Sequence, residues 1–233
     1  MKKIFYLLLY SSLSFSQFKN GIIEYKVIGV NEKLLSIKSD FIQKNIDYSK
    51  KINYKLSFNE NYSVFEISDN SPLNILDSKY FSLKKRMLGV FYENLSKKNI
   101  NIFRDDLFLG KVNIDIPYSL KWELFNESKE IYGYTCYLAK SLITEFEMPD
   151  EKYEITAWYC PKIPISIGPK NYFGLPGLIM ELTNMKETFG VSKMEFENNP
   201  IIDISKNKGY RNISTQEYYK KISEEVEYLK NSE

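Results

Sequence analysis

The side chains able to do chemistry in this chain are two cysteines, Cys136 and Cys160, and many scattered carboxylates, with no histidine at all. The absence of imidazole removes Ser-His-Asp and Cys-His catalysis, His-based zinc sites and the usual acid-base group near neutral pH. Gly-x-Ser-x-Gly, a phosphate-binding P-loop and Gly-x-Gly-x-x-Gly are also missing. Catalysis would then fall to a carboxylate pair, or to a Ser/Lys or Tyr mechanism. The densest acidic stretch is "TEFEMPDEKYE", which holds Glu145, Glu147, Asp150, Glu151 and Glu154. Such a cluster suits a carboxylate-dependent hydrolase or a calcium site, and more commonly a solvated hairpin end. No Asp-x-Asp-x-Asp-Gly loop supports calcium, and the sequence calls for no metal and no cofactor.

What the cysteines do depends on the compartment. The chain starts "MKKIFYLLLYSSLSFSQ": two lysines, an apolar run from Ile4 to Tyr10, then Ser14 and Ser16 before Gln17. This is the order of a secretory signal peptide, with cleavage expected near Ser16, and the run is too short to span a bilayer. The expectation is an exported protein, periplasmic or secreted, whose mature part (residues 17–233) is one globular domain and not membrane-spanning. In that setting an even cysteine count favours a Cys136–Cys160 disulfide; a metal pair or a redox pair is the alternative, the latter weakened because the spacing is not Cys-x-x-Cys.

Net charge narrows the partners. The full chain has 32 Lys plus Arg against 30 Asp plus Glu, and the leader removes Lys2 and Lys3, leaving a balanced mature chain. Only Arg86, Arg104 and Arg211 are arginines. A balanced, Lys-dominated surface gives no field or guanidinium set for nucleic acid, so no nucleic-acid partner is expected.

The elements that would position any site read mainly as strands. The chain contains 19 Tyr and 15 Phe, residues that favour sheets and pack on one another there. Residues 21–29 read as a first strand, 32–52 as an apolar helical stripe with misfits, and 53–68 as a hairpin turning at Asn59–Asn61. From 88 to 159 short alternating runs recur about every ten residues, with two further strands at 177–184 and 190–198. Ser214 and Glu217 form a capping box ahead of a helix over 214–231, with Tyr218, Ile222, Val226 and Leu229 as its apolar stripe. The fold class is therefore mainly β (α+β): a single antiparallel meander curved into a half-open barrel, with one or two covering helices, one of them C-terminal.

Residues 160–178, "CPKIPISIGPKNYFGLPGL", hold four of the eight prolines and three of the ten glycines. Proline removes amide donors and glycine permits close backbone approach, so this stretch is a shaped loop. Its apolar side chains need burial against the sheet, and "LPGL" reads as a type II turn with Pro176 and Gly177 at its centre, feeding the strand "LIMEL".

"FGLPGLIMEL" resembles the signature of the GLPGLI family, exported proteins of Gram-negative bacteria named for that hexapeptide. The six letters stand as Gly174, Leu175, Pro176, Gly177, Leu178 and Ile179. Upstream, "IYGYTCYLAK" is similar to the family's Ile-x-Gly-Tyr-x-Cys-x-x-Ala element, placing Gly133, Tyr134, Cys136 and Ala139. "AWYCPKIPISIGP" is similar to its Ala-Trp-Tyr, Ile-Pro and Gly-Pro elements, among them Gly168 and Pro169. The family has Thr more often where Cys160 stands, so the resemblance does not carry the disulfide. It implies export and supplies no catalytic residues; a strand-rich fold with a covering helix is like the half-barrel of periplasmic lipoprotein carriers.

The expected function is non-enzymatic: an envelope protein binding an apolar small molecule, a lipid or a partner protein on the sheet's concave face under the Gly/Pro loop, with Trp158, Tyr159, Tyr172, Phe173 and Leu175 lining or closing the site. The alternatives are the carboxylate-dependent hydrolase and an accessory subunit of an outer-membrane transporter, the latter calling for an exposed sheet edge or apolar patch.

Overall fold

The computed structural model describes residues 18–71, 82, 84–86, 88–116, 120–144, 152–197, 199–203 and 207–231. The expected signal peptide and the carboxylates Glu145, Glu147, Asp150 and Glu151 lie outside the described residues. Glu154 lies within them, on the surface, where it pairs with Lys140 at 3.0 Å. Among the described residues no helix is long and apolar enough to cross a membrane.

The strands are β1 (Gly21–Val30), β2 (Asn53–Phe58), β3 (Tyr62–Ile67), β4 (Val90–Asn94), β5 (Asn99–Asp106), β6 (Gly110–Ile116), β7 (Glu123–Ile131), β8 (Tyr134–Thr144), β9 (Lys152–Cys160), β10 (Leu178–Thr183), β11 (Glu187–Phe196) and β12 (Arg211–Ser214). Among the described residues they form one mixed sheet in the order β12-β6-β5-β4-β3-β2-β1-β11-β10-β9-β8-β7, with β12 and β7 at its edges. The single antiparallel meander is thus corrected: two meanders, β1 to β6 and β7 to β11, join where β1 pairs with both β2 and β11. β12 adds beside β6 in parallel, Ile213 opposite Ile114. Only four residues long, β12 carries too little alternation to stand out in sequence. The sheet is not closed into a barrel.

Local chemistry explains the helices. The stripe over 32–52 is two helices, α1 (Glu32–Leu35) and α2 (Asp40–Lys51). Asn31 Oδ1 caps α1 by accepting from the Lys33 amide at 2.9 Å, and Ser36 Oγ donates back to the Lys33 carbonyl at 2.8 Å. Gln43 then donates to the carbonyls of Leu35 and Ile37, so the break leaves few orphan acceptors. The misfits in the stripe are this break. At the other end, Ser214 Oγ accepts from the Glu217 amide at 3.2 Å and opens the C-terminal helix (Thr215–Lys230). Its Tyr218 and Ile222 pack on Ile102, Val112, Ile114 and Ile213; the side chains of Val226 and Leu229 lie outside the described residues.

The main core is aromatic and lies on the β1–β3 and β10–β11 face. Tyr25, Tyr54, Phe58, Phe65 and Phe189 are fully buried. The Tyr54 and Phe65 rings stack at 5.6 Å, with Phe189 edge-on to Tyr54 at 5.1 Å. A second cluster covers the other face of β8–β10, built from Ala139, Ile155, Ala157, Tyr159, Leu175, Ile179 and Leu182. β10 is therefore buried on both faces, which explains the run "GLIMEL" that does not alternate.

Candidate functional site: a cavity beneath the Gly/Pro loop

The loop after β9 is held by its own backbone. The Ile163, Ile165 and Ile167 amides each donate to a carbonyl two or three residues back, at 2.8–3.2 Å. Its carbonyls then serve the hexapeptide: Leu178 N–H donates to Ile163 at 2.9 Å and Ile179 N–H to Ile167 at 3.0 Å. Ser166 Oγ accepts from the Gly174 amide at 2.8 Å, and Trp122 Nε1 donates to the Phe173 carbonyl at 2.8 Å. The 3-10 turn Pro169–Asn171 packs against β3 and β4. Lys170 within that turn reaches Glu187 at 3.3 Å, tying it to β11.

The expected type II turn is corrected. Gly177 N–H donates to the Leu175 carbonyl at 2.8 Å, a three-residue turn centred on Pro176, and the Leu178 amide goes to the loop instead. The glycine is needed for contact as well as angle. A Cβ on Gly177 would stand 2.2 Å from the Cys160 carbonyl oxygen and 2.9 Å from the Pro161 nitrogen. A Cβ on Gly168 would stand 2.7 Å from the Ile179 Cβ. The Gly-Pro and hexapeptide elements are thus two halves of one backbone packing arrangement.

The expected disulfide is not formed in this structure. Cys136 and Cys160 are both free thiols, completely buried. The β8–β9 register, Tyr137 opposite Tyr159, brings them together at the next position. Cys136 Sγ donates to the Tyr134 carbonyl at 3.5 Å and is in hydrogen-bond contact with the Cys160 sulfur. Burial, and then the neighbouring sulfur, push the Cys136 thiol up to about 12. An even count of cysteines does not separate a cystine from two thiols packed as small apolar groups. The start of the loop is pinned by Gly177 on the Cys160 carbonyl.

Between the loop and the turn ends of β2–β5 lies a cavity of about 520 Å³. One wall is the loop: Ile165, Ser166, Ile167, Phe173 and Gly174. Phe18, Phe58 and Leu95 supply apolar surface from the sheet side, and Lys19, Asn59, Glu60 and Lys98 complete the lining. Lys19 pairs with Glu60 at 2.9 Å on the surface. Glu93 of β4 also lines the cavity, although only 1% of it is solvent-exposed. It accepts one hydrogen bond, from Ser63 Oγ of β3 at 2.8 Å, at a position where Ser63 and Glu93 are direct strand partners. Burial pushes its carboxyl up to about 7, against the downward pull of the Ser63 bond, and no charged neighbour contributes.

Of the five residues expected to line a ligand site, the cavity takes only Phe173. Leu175 and Tyr159 are buried in the second cluster and Tyr172 packs on it. Trp158 lies against the main core, with Lys129 Nζ 4.5 Å from its ring centroid. Glu93 and Ser63 were missed, yet a signal exists. In "VFYENL" the alternation that puts Phe91 and Leu95 inward puts Glu93 there too, a carboxylate at an apolar register position. Among the described residues no group of three or more His, Cys, Asp or Glu could hold a metal ion.

A family described as "Protein of unknown function (Porph_ging)" matches residues 144–181, the span of β9, the loop and the start of β10. No curated protein matches the chain. In fold the chain is similar to PNGF-II in two crystal forms. The C2 form gives a TM-score of 0.52 at 13% identity, over 84% of this chain and 30% of that one. The P21 form gives 0.55 at 13% identity, over 87% and 32%. At such identity the likeness is one of fold alone, and this chain spans about a third of the length of that protein.

Proposed function

We propose that this is an exported envelope protein of the GLPGLI family that binds an apolar small molecule in the cavity beneath its Gly/Pro loop, without catalysing a reaction. The observation that carries the reading is the cavity itself: a preformed space of about 520 Å³ with apolar walls from Phe18, Phe58, Leu95, Ile165, Ile167 and Phe173 and one buried carboxyl. That volume and that mix of many apolar groups with one polar group suit a small-molecule site. The family reading is supported by the intact hexapeptide and by the match over residues 144–181. The two meanders, with a loop laid across their shared face, favour a half-barrel that opens towards the loop. The test is saturable binding of diphenylhexatriene, a neutral hydrocarbon fluorophore, to the purified mature chain. Stoichiometric binding lost in Ile165→Trp, which fills the cavity, supports the reading; no binding by the folded wild type ends it.

One observation favours a second reading, a partner protein. Among the described residues β7 pairs only with β8 and leaves one edge open, beside exposed Leu124 and Leu142. A strand of an outer-membrane transporter component added there would use main-chain hydrogen bonds. Cross-linking from Leu124 in intact cells tests it.

A further inference from the structure

The cavity has a polarity that its apolar walls do not suggest. Glu93 lies between inward Phe91 and Leu95 in the chain and opposite Ile100 on β5. Its single hydrogen bond, from Ser63, engages Oε2; the described residues place no donor on Oε1. The charged groups at the cavity are Lys19, Glu60 and Lys98, and Lys19 is already paired with Glu60. None of them acts on Glu93 as a counter-charge. A buried carboxyl without a cation or a second donor is costly, and a hydrophobic side chain at this register position would pack at no such cost.

We propose that the cavity selects apolar molecules carrying an amino head group, with the ammonium on Glu93 and the hydrocarbon tail along Phe58, Ile165 and Phe173. This rests on the cavity-binding reading above and specifies its ligand class. An ammonium supplies both what Glu93 lacks, a positive charge and donors for Oε1. An alcohol supplies a donor without charge. A carboxylate head brings a second acid against the first, and one of the two must take up a proton to enter. The order amine, alcohol, carboxylate follows from the head groups alone, because the tail contacts are the same.

The experiment is displacement of diphenylhexatriene from the mature chain at pH 7.5 by dodecylamine, dodecanol and dodecanoate, each below its micellar concentration. The amine is expected to displace the probe at about one-tenth the concentration of the alcohol or less, as a charge-assisted bond to a buried carboxyl requires, with the carboxylate weakest. In Glu93→Gln, which is isosteric and keeps the Ser63 partner, the amine advantage should fall to within about threefold of the alcohol. Equal displacement by amine and alcohol in the wild type overturns the inference without any variant, and so does an amine advantage that survives in Glu93→Gln. Probe binding without head-group preference leaves the cavity reading standing and removes only the ligand class; absence of probe binding removes both.

Discussion

Tyr25 of β1 donates its phenolic hydrogen to the carbonyl of Ile179 in β10 at 2.7 Å, reaching over β11, which lies between the two strands. The bond exists because Ile179 has no partner on β11: the β10–β11 ladder begins only at Glu181, and a register shift against β9 falls between Ile179 and Glu181. The Ile179 amide is served by Ile167 of the loop, so both polar groups of this hexapeptide residue are satisfied from outside the sheet ladder. Burial raises the Tyr25 phenol far above its ordinary value, which favours the protonated donor. Tyr25→Phe strands a dry carbonyl and should cost about 1–3 kcal/mol. Tyr132→Phe removes an exposed bond to Ser192 and should cost less than about 0.5 kcal/mol. Urea unfolding midpoints at constant m-value compare them; equal costs would show that the Tyr25 bond contributes little.

Two glycines of the family-like elements separate contact from backbone angle. Gly133 has a φ of 74°, and a Cβ added there would meet nothing within 4 Å, so Gly133→Ala bears only the left-handed strain of about 1–2 kcal/mol. Gly177→Ala adds a collision with the Cys160 carbonyl, whose strand is fixed on both sides by β8 and β10. It should cost more than about 4 kcal/mol, the range of severe core disruption, or prevent folding. Thermal unfolding of both variants checks the contrast, and a Gly177→Ala protein as stable as Gly133→Ala would mean that the loop start relaxes freely.

Much of the architecture is legible from local signals. Alternation locates β1 to β11 within a few residues, Asn59–Asn61 is the hairpin turn its residue types suggest, with Asn59 Oδ1 accepting from the Asn61 and Tyr62 amides, and Ser214 opens its helix. Pairing is not legible, because the meeting of β1 with β11 joins residues some 170 positions apart, such as Ile23 and Met194, and nothing local encodes it. The site suffers for the same reason. Aromatic residues near the loop are natural candidates, yet Tyr159, Tyr172 and Leu175 fill a second core on the back of β8–β10, a layer that becomes visible only when both faces are known to be covered. Glu93 and Phe58 meet the loop only through the tertiary fold, and only the inward register of Glu93 marks it in the sequence.

Glu93 makes stability depend on pH in the direction opposite to most carboxylates. Its folded value, about 7, lies above the ordinary Glu value, so the folded state binds the proton more tightly than the unfolded chain. Its contribution is full below about pH 4.5 and is lost as pH rises through 7, by an amount on the order of 3 kcal/mol. Glu93→Gln lacks this slope. The variant should therefore exceed the wild type in stability at pH 8 by a few kcal/mol, with the gap closing towards pH 4.5. Urea unfolding of both proteins at pH 5 and pH 8 decides it; parallel curves would place the Glu93 carboxyl in water.

The two thiols can be counted directly. Cys136 and Cys160 are wholly buried, and the Cys136 thiol, raised to about 12, is almost entirely protonated at neutral pH. Reaction with Ellman's reagent needs both exposure and thiolate. In denaturant without reductant the chain should therefore titrate two thiols, and the native protein should show almost none until it opens. The native reaction rate should then track global unfolding, rising in Tyr25→Phe in proportion to the stability it loses. Finding no thiols in denaturant would establish a cystine and reverse the assignment; fast native reaction of Cys160 alone would mean that the loop lifts from the sheet while the rest stays folded.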